Sequence, residues 1–226
     1  MAKKRQALKG SGATEADRAR LRKVITKLKR AYPDATCSLD YQSPLQLLVA
    51  TILSAQCTDE RVNMVTPKLF EAYPTAADLA GAAQEELEGV IRSTGFYRNK
   101  SKSIRGCCKA LLERHGGEVP GTMEELILLD GVGRKTANVV LGTAFGIADG
   151  VVVDTHVKRI SGRLALTDQA DPEKIEQDLM VLTARKDWIS LPHLFIRHGR
   201  ATCTARSPDC ATCGLSALCP STEAAE

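Results

Sequence analysis

Apolar side chains recur with a helical period along most of the chain, and no clear run alternates in the way of a β-strand. The spacing of Leu21, Val24, Ile25 and Leu28 predicts a first helix that ends near the sequence AYPDA. Aromatic residues make up only 4% of the 226 residues, while alanine and leucine are abundant. We therefore predict an all-α fold.

A second helix is predicted in the stretch SPLQLLVATILSAQ, where Ser43 is the expected N-cap and Pro44 the first helical residue. Its apolar stripe consists of Leu45, Leu48, Val49 and Ile52, and we expect this helix to be buried. Further helices are predicted at residues 59–72, 85–92 and 99–114, and two glycines close the last of them.

A helix, a tight turn and a second helix are predicted from residue 123 to residue 145, with the turn at DGVG. Two more helices should begin near Thr155 and at Pro172, with Asp154 and Asp171 as their caps. The valine run 151–153 before Asp154 is compatible with a short strand, but a buried extended approach to the helix is the better interpretation.

Positive charge is concentrated at the N-terminus. Residues 1–30 contain eleven Lys or Arg against two acidic residues, although the whole chain carries a formal charge of only +4. Such a segment suits an anionic partner such as nucleic acid, and a solvated basic tail is the alternative. No apolar run is long enough to span a membrane, and no export signal follows the first charges, so we expect a cytoplasmic protein without a membrane partner.

The C-terminal tail has no apolar period but contains four cysteines with the spacing C-x6-C-x2-C-x5-C, namely Cys203, Cys210, Cys213 and Cys219. Four thiolates in a short loop can surround one metal centre, and ligation would supply the free energy that orders the loop. Tetrahedral zinc and a [4Fe–4S] cluster both suit four cysteines, so the spacing leaves the two open. The other four cysteines lack ligand spacing and are predicted to be small buried hydrophobes.

The turn before Lys135 contains two glycines, Gly131 and Gly133, whose backbone freedom exposes amide groups at the start of the next helix. A helix start of this kind can hold a phosphate oxygen. Lys135 lies in the first helical turn, where the positive end of the helix favours a neutral amine that could form an imine with a sugar carbon. An exposed lysine that extends into solvent is the simpler interpretation of this residue taken alone.

Asp154 follows the three valines in VVVDTHVKRI. As an N-cap its carboxylate would be held in its ionised form by helix amides. The same carboxylate could stabilise a cationic sugar transition state or assist proton transfer at Lys135, and both interpretations stand on the local sequence.

Five motifs, in order along the chain, together resemble the endonuclease III family, the bifunctional DNA glycosylases and abasic-site lyases of the helix-hairpin-helix superfamily. They are LSAQCTDERVN, TGFYRNKSKSI, LDGVGRKTANVVL, VVVDTHVKRISGRL and the cysteine tail. The resemblance covers about residues 18–220. It implies a base excision repair enzyme for damaged double-stranded DNA that removes oxidised pyrimidines and then nicks the strand by β-elimination.

The resemblance also implies roles for individual residues. Lys135 would attack C1′ of the damaged nucleotide, and Asp154 would be the catalytic carboxylate. Gln56 and Phe96 would insert into the duplex, which agrees with the need to fill the space left when a base leaves the stack. Without the family, a loop-capping glutamine and a core phenylalanine would be the preferred interpretations. Asp59 and His156 match positions near the family's site, but capping and core hydrogen bonding explain them equally well.

The implied architecture is a six-helix domain of residues 37–148 and a discontinuous domain of residues 1–36 and 149–226 that carries a [4Fe–4S] cluster. DNA would cross the groove between them, contacting the hairpin residues Gly131, Val132 and Gly133 and the cations Arg200 and Arg206, and the enzyme is expected to be a monomer. An adenine-mismatch glycosylase is the nearest rival, but that family lacks the hairpin lysine. A non-catalytic DNA-binding protein and an electron carrier are the rivals from other classes.

Three features depart from the family pattern. Asp130 replaces a common proline before the hairpin glycines and places a negative charge near the expected phosphate contact. Ser207 and Asp209 stand where family members are often basic, which leaves Arg197, Arg200 and Arg206 as the cations of that loop. The basic N-terminal extension is longer than the motifs require. We expect lower DNA affinity or a narrower substrate range.

Overall fold

The computed structural model describes residues 13–222, and the chain divides into two compact units, residues 37–149 and residues 1–36 with 150–226. The most basic part of the N-terminal extension, residues 1–12, lies outside the described residues. The structure is all-helical and contains no strand in its described part, as predicted. None of the helices found there is long and apolar enough to cross a membrane.

The unit of residues 37–149 contains six helices of six residues or more and one single turn of helix among its described residues. These are α2 (Pro44–Leu53), α3 (Asp59–Ala72), α4 (Ala76–Gly81), α5 (Gln84–Ile91), α6 (Tyr97–His115), the single turn α7 (Met123–Leu126) and α8 (Arg134–Ala144). A 3₁₀ segment, Arg92–Thr94, joins α5 to the loop before α6.

Helix α2 is the central helix of this unit. Ser43 Oγ accepts from the amide of Gln46 at 3.2 Å and Pro44 begins the helix, as the sequence indicates. All seven residues from Leu47 to Leu53 are buried, because α3, α6 and α8 pack around the helix. The prediction of one apolar stripe was therefore too narrow, since this part of α2 is buried on all sides.

The second unit contains four α-helices in its described part: α1 (Glu15–Ala31), α9 (Thr155–Arg163), α10 (Pro172–Leu182) and α11 (Ser190–Ala201). The four predicted apolar residues of α1 are all buried against α10 and α11. Helices α9 and α11 approach closely at Gly199, where a β-carbon would lie 3.0 Å from Cδ1 of Ile160 and 3.1 Å from Cδ2 of His156. The valine run before Asp154 is mostly buried, and it forms no strand.

Candidate nucleic-acid site and cluster loop

Lys135 is the second residue of α8 in the unit of residues 37–149, and its side chain is exposed. The N-cap of this helix is Gly133, which has no side chain to accept from the first-turn amides. The positive end of the helix therefore lies beside the ammonium group without a capping carboxylate or hydroxyl from the N-cap residue.

The loop before α8 depends on one glycine more than on the other. Gly131 has φ +77°, and a β-carbon there would lie 2.7 Å from Cβ of Ser103. Gly133, by contrast, has φ −92° and ψ 175°, an extended conformation that any residue adopts, so the prediction of special backbone angles was wrong at this position. Between them Val132 is buried and its amide donates to the carbonyl of Leu129 at 3.1 Å, which anchors the loop.

Asp130 lies against α6. Its side chain covers Gly106, where a β-carbon would be 2.9 Å from Cγ of Asp130 and closer still to Oδ2. The absence of a side chain at position 106 therefore makes room for the carboxylate. Asp130 nevertheless remains exposed, so its negative charge is presented beside the hairpin.

Asp154 belongs to the other unit and is the N-cap of α9, as predicted. Its Oδ1 accepts from the amide of Val157 at 2.8 Å, and its Oδ2 lies 3.1 Å from Nδ1 of His156. The Asp154 side chain keeps 20% of its surface exposed. Capping thus uses one carboxylate oxygen, and the second oxygen is positioned by the imidazole.

Gln56 and Phe96 share an unusual backbone conformation. Among the described residues other than glycine, positive φ occurs only at Gln56 (52°), Phe96 (49°) and Ala165 (48°). Such a conformation costs about 1–3 kcal/mol for a residue with a side chain and is concentrated at functional sites. Both side chains are exposed, Phe96 by 61%, so the interpretation of Phe96 as a core residue was wrong.

The four cysteines of the tail line one cavity of about 90 Å³, together with His198 and Leu215. Burial raises the pKa of the Cys213 thiol, the Leu215 amide opposes this, and the thiols of Cys203, Cys219 and Cys210 raise it further. The four thiols are therefore close enough to interact electrostatically. No three His, Cys, Asp or Glu side chains of the described residues are grouped tightly enough for a single metal ion. All four cysteines line the same cavity, and a set of four cysteines is the ligand set of an iron–sulfur cluster.

Two arginines of α9, Arg159 and Arg163, hold the start of the cysteine loop, a role that no sequence motif indicates. Arg163 Nη1 donates to the carbonyls of Thr204 at 2.7 Å and Cys203 at 3.3 Å and lies 3.2 Å from Cys203 Sγ. Arg159 Nη2 donates to the carbonyls of Gly199 and Cys203 at 3.0 and 3.2 Å. The tertiary structure alone identifies these contacts, because 40 to 44 residues separate the arginines from these acceptors.

Arg200, at the end of α11, and Arg206, within the cysteine loop, are both exposed. Asp209 has a structural reason to be there, since its Oδ2 accepts from the Thr212 hydroxyl at 2.5 Å and its Oδ1 from the Thr212 amide at 3.2 Å. These bonds lower the pKa of Asp209. The Ser207 carbonyl similarly accepts from the Thr204 hydroxyl at 2.7 Å.

The four remaining cysteines separate into two classes. Cys107 and Cys108 are fully buried, as predicted, whereas Cys37 and Cys57 are only half-buried. Burial raises the pKa of both Cys107 and Cys108 to about 12, so these thiols stay protonated at neutral pH.

Comparison with known families defines the class of the protein. A family model described as HhH-GPD superfamily base excision DNA repair protein matches residues 49–185, which is more than half of the chain. A second model, the iron-sulfur binding domain of endonuclease III, matches residues 203–219. The fold and the loop are thus those of a base excision repair glycosylase with a cluster domain.

Curated relatives indicate which family of base excision repair proteins the chain resembles. The chain is 59% identical to endonuclease III of Synechocystis sp. over 91% of this chain and 94% of the relative, and 39% identical to that of Escherichia coli over 90% and 96%. A solved structure of a trapped endonuclease III–DNA covalent intermediate is 42% identical with a TM-score of 0.87, covering 92% of this chain and 98% of that one. A non-covalent endonuclease III–DNA complex matches with 43% identity and the same TM-score, covering 92% and 97%.

The chain belongs to the endonuclease III family. It is a base excision repair enzyme of the DNA glycosylase and abasic-site lyase class, and its cofactor is a [4Fe–4S] cluster. This decides between the two metal centres that the cysteine spacing left open. A thermostable thymine-DNA glycosylase shares the fold at 19% identity and a TM-score of 0.83.

Proposed function

We propose that this enzyme removes oxidised pyrimidines from duplex DNA through an imine at Lys135 and then cleaves the abasic site by β-elimination. The exposure of Lys135 at the start of α8 supports this role, because the amine is accessible to a sugar carbon of bound DNA. A 42% identical endonuclease III has been captured as a trapped covalent intermediate with DNA, and this relative supports the proposal of a covalent step.

In the proposed reaction, the unprotonated amine of Lys135 forms a bond to C1′ while the bond from C1′ to the damaged base breaks, and the base leaves with a proton. Opening of the sugar ring gives the imine. Loss of a proton from C2′ then expels the 3′ phosphate, and water releases the amine of Lys135 from the sugar.

Asp154 is proposed as the carboxylate that stabilises positive charge on the sugar and assists proton transfer at Lys135. The amide of Val157 and the ring of His156 each engage one of its oxygens, which fixes the carboxylate in one orientation. His156 is thereby proposed as a positioning residue for Asp154. The cluster, held by Cys203, Cys210, Cys213 and Cys219, orders the loop that carries Arg206.

The observation that carries the proposal is the left-handed backbone at both Gln56 and Phe96. Two exposed side chains on strained loops are suited to enter a duplex, one filling the space of the extruded nucleotide and the other separating the neighbouring bases. Amides at Gly131 and Gly133, with Val132 anchoring the loop, and the cations Arg200 and Arg206 are proposed to bind the DNA backbone. We propose that the enzyme acts as a monomer on chromosomal DNA in the cytoplasm.

Borohydride trapping on an abasic duplex tests the lyase mechanism, because reduction fixes an imine as a stable adduct. We expect an adduct with the wild type and with Lys109→Ala, an exposed lysine of α6 that serves as the matched control. Lys135→Ala should give none. A persistent adduct in Lys135→Ala would exclude this lysine as the nucleophile.

Turnover on duplexes that each contain a single defined lesion would test the preference for oxidised pyrimidines.

A further inference from the structure

Lys100, in the first turns of α6, is a buried lysine with two backbone acceptors. Its side chain is only 5% exposed, and Nζ donates to the carbonyls of Leu53 and Thr94, each at 2.8 Å. Burial lowers the pKa of Lys100, and the neighbouring Cys57 opposes this shift. An ammonium group in this position costs stability compared with an apolar side chain of similar length, so its presence calls for a reason beyond packing.

The two acceptors lie at the bases of two different loops. Leu53 is the last residue of α2, three residues before Gln56, and Thr94 ends the 3₁₀ segment two residues before Phe96. Carbonyls at the end of a helix lack intrahelical partners, and the negative end of α2 attracts a cation. One side chain thus joins the segments that lead into both strained residues.

The backbone of Lys100 also contacts the second loop. Its amide donates to the carbonyl of Phe96 at 3.0 Å, which begins the hydrogen bonding of α6 immediately after the left-handed residue. Thr94 is itself held, because its hydroxyl donates to the Ile91 carbonyl at 2.8 Å and the residue is 2% exposed. The Phe96 loop is therefore fixed on both sides, and Lys100 connects it to the Gln56 loop.

We infer that Lys100 is a positioning residue that couples the Gln56 and Phe96 loops, so that both side chains enter the duplex in a fixed relation to each other. The inference rests on the proposed insertion roles of Gln56 and Phe96. An ammonium suits this task because it offers three donors from one atom and can satisfy two carbonyls of different loops at once. A methionine would fill the space but leave both carbonyls without this donor.

The test compares Lys100→Met with Lys102→Met, which removes the same charge from an exposed position two residues further along α6. Base extrusion is followed by the fluorescence of 2-aminopurine placed next to a lesion in a duplex. Misplacement of the loops should slow extrusion by about 10- to 100-fold in Lys100→Met. Lys102→Met should extrude the base at the wild-type rate.

Two further readouts separate positioning from a general loss of structure. Borohydride trapping on a single-stranded abasic oligonucleotide needs no extrusion and should stay within about twofold of the wild type, since Lys135 is untouched. When Lys100→Met is added to the double variant Gln56→Ala with Phe96→Ala, it should slow base extrusion little further. The effects of substitutions at residues that act as a unit are not additive. If Lys100→Met does not fold, Lys100→Arg, which keeps the charge but changes the donor geometry, provides the same three measurements.

Three results would overturn the coupling. The first is extrusion of the base at the wild-type rate by the folded Lys100 variant, and the second is equal slowing of its reactions on duplex and on single-stranded DNA. The third is full additivity of Lys100→Met with the loop substitutions. The proposed insertion roles fail in a different way. They are wrong if Gln56→Ala with Phe96→Ala extrudes the base at the wild-type rate, whatever Lys100→Met does.

Discussion

The side chain of Asp130 covers the α-carbon of Gly106, which places a carboxylate at the start of the hairpin that leads into α8. Position 106 cannot gain a β-carbon without moving Asp130. The carboxylate remains exposed, so its charge acts on a ligand at the hairpin as well as on its neighbours.

Replacement of this carboxylate by an amide is expected to strengthen DNA binding. Asp130→Asn keeps the shape but removes one negative charge near the proposed phosphate contact, which should improve affinity for an abasic duplex by about 0.5–1 kcal/mol at low salt. The gain should diminish as salt rises. Fluorescence anisotropy titrations measure the affinity and its dependence on salt. Glu71→Gln on α3 is the charge-matched control. An unchanged affinity in Asp130→Asn would show that Asp130 does not act on the DNA.

The two hairpin glycines should respond differently to alanine. Gly131→Ala introduces a β-carbon at φ +77° and 2.7 Å from Cβ of Ser103, so we expect a loss of about 2–3 kcal/mol in the free energy of unfolding. Gly133→Ala meets no atom within 4 Å and has an ordinary φ, and its cost should stay within about 0.5 kcal/mol. Urea unfolding of both variants checks the difference; equal losses would contradict it.

Loss of one cysteine of the tail should release the cluster without unfolding the other unit. Cys210→Ser removes one of four thiols around the cavity, and we expect the purified variant to lack bound iron and acid-labile sulfide while the helices of residues 37–149 persist. Cys57→Ala, a half-buried cysteine of that unit, should retain full iron content. Retention of the cluster in Cys210→Ser would remove this residue from the ligand set.

Arg163 should determine how firmly the cluster is retained. Arg163→Met removes the donors to the carbonyls of Cys203 and Thr204, so iron should be lost to a chelator about tenfold faster. Arg163→Lys lacks the planar guanidinium group and should restore the retention of iron only in part. The control is Lys158→Met on the same helix, whose Nζ donates to the Ala170 carbonyl instead. Equal rates of iron loss in Arg163→Met and the wild type would refute this role.

The buried pair Cys107 and Cys108 should make the fold sensitive to alkali. Their pKa of about 12 in the folded state exceeds the ordinary value of 9.0, so the folded chain keeps protons that the unfolded chain releases. The contribution of the two thiols to the free energy of unfolding is complete below pH 9.0. It declines as the pH rises towards 12, by up to about 1.4 kcal/mol per pH unit for each thiol. Urea unfolding between pH 8 and 10.5 should show a shallower decline for Cys107→Ala with Cys108→Ala than for the wild type, and parallel declines would refute the assignment.

Local chemistry was sufficient to predict most of the helices. Ser43, Asp154 and Asp171 are N-caps where predicted, and Gly116 ends α6, because capping depends on neighbours within a few residues. Helices α4 and α11 were not assigned. A capping box formed by Thr75 and Asp78 marks the start of α4, but six residues are too few for a helical repeat of apolar side chains to be recognised in the sequence.

The sequence by itself determined the fold class, the family, the cysteine loop and the residues proposed for chemistry, because these depend on periodicity, spacing and residue type. Tertiary structure alone decided that Lys100 bridges Leu53 and Thr94, that Arg163 holds the start of the cluster loop, and that Asp130 lies over Gly106. Each of these relationships includes a contact between segments distant along the chain. Such contacts leave no local pattern, since the free energy that forms them comes from packing and burial rather than from neighbours in sequence.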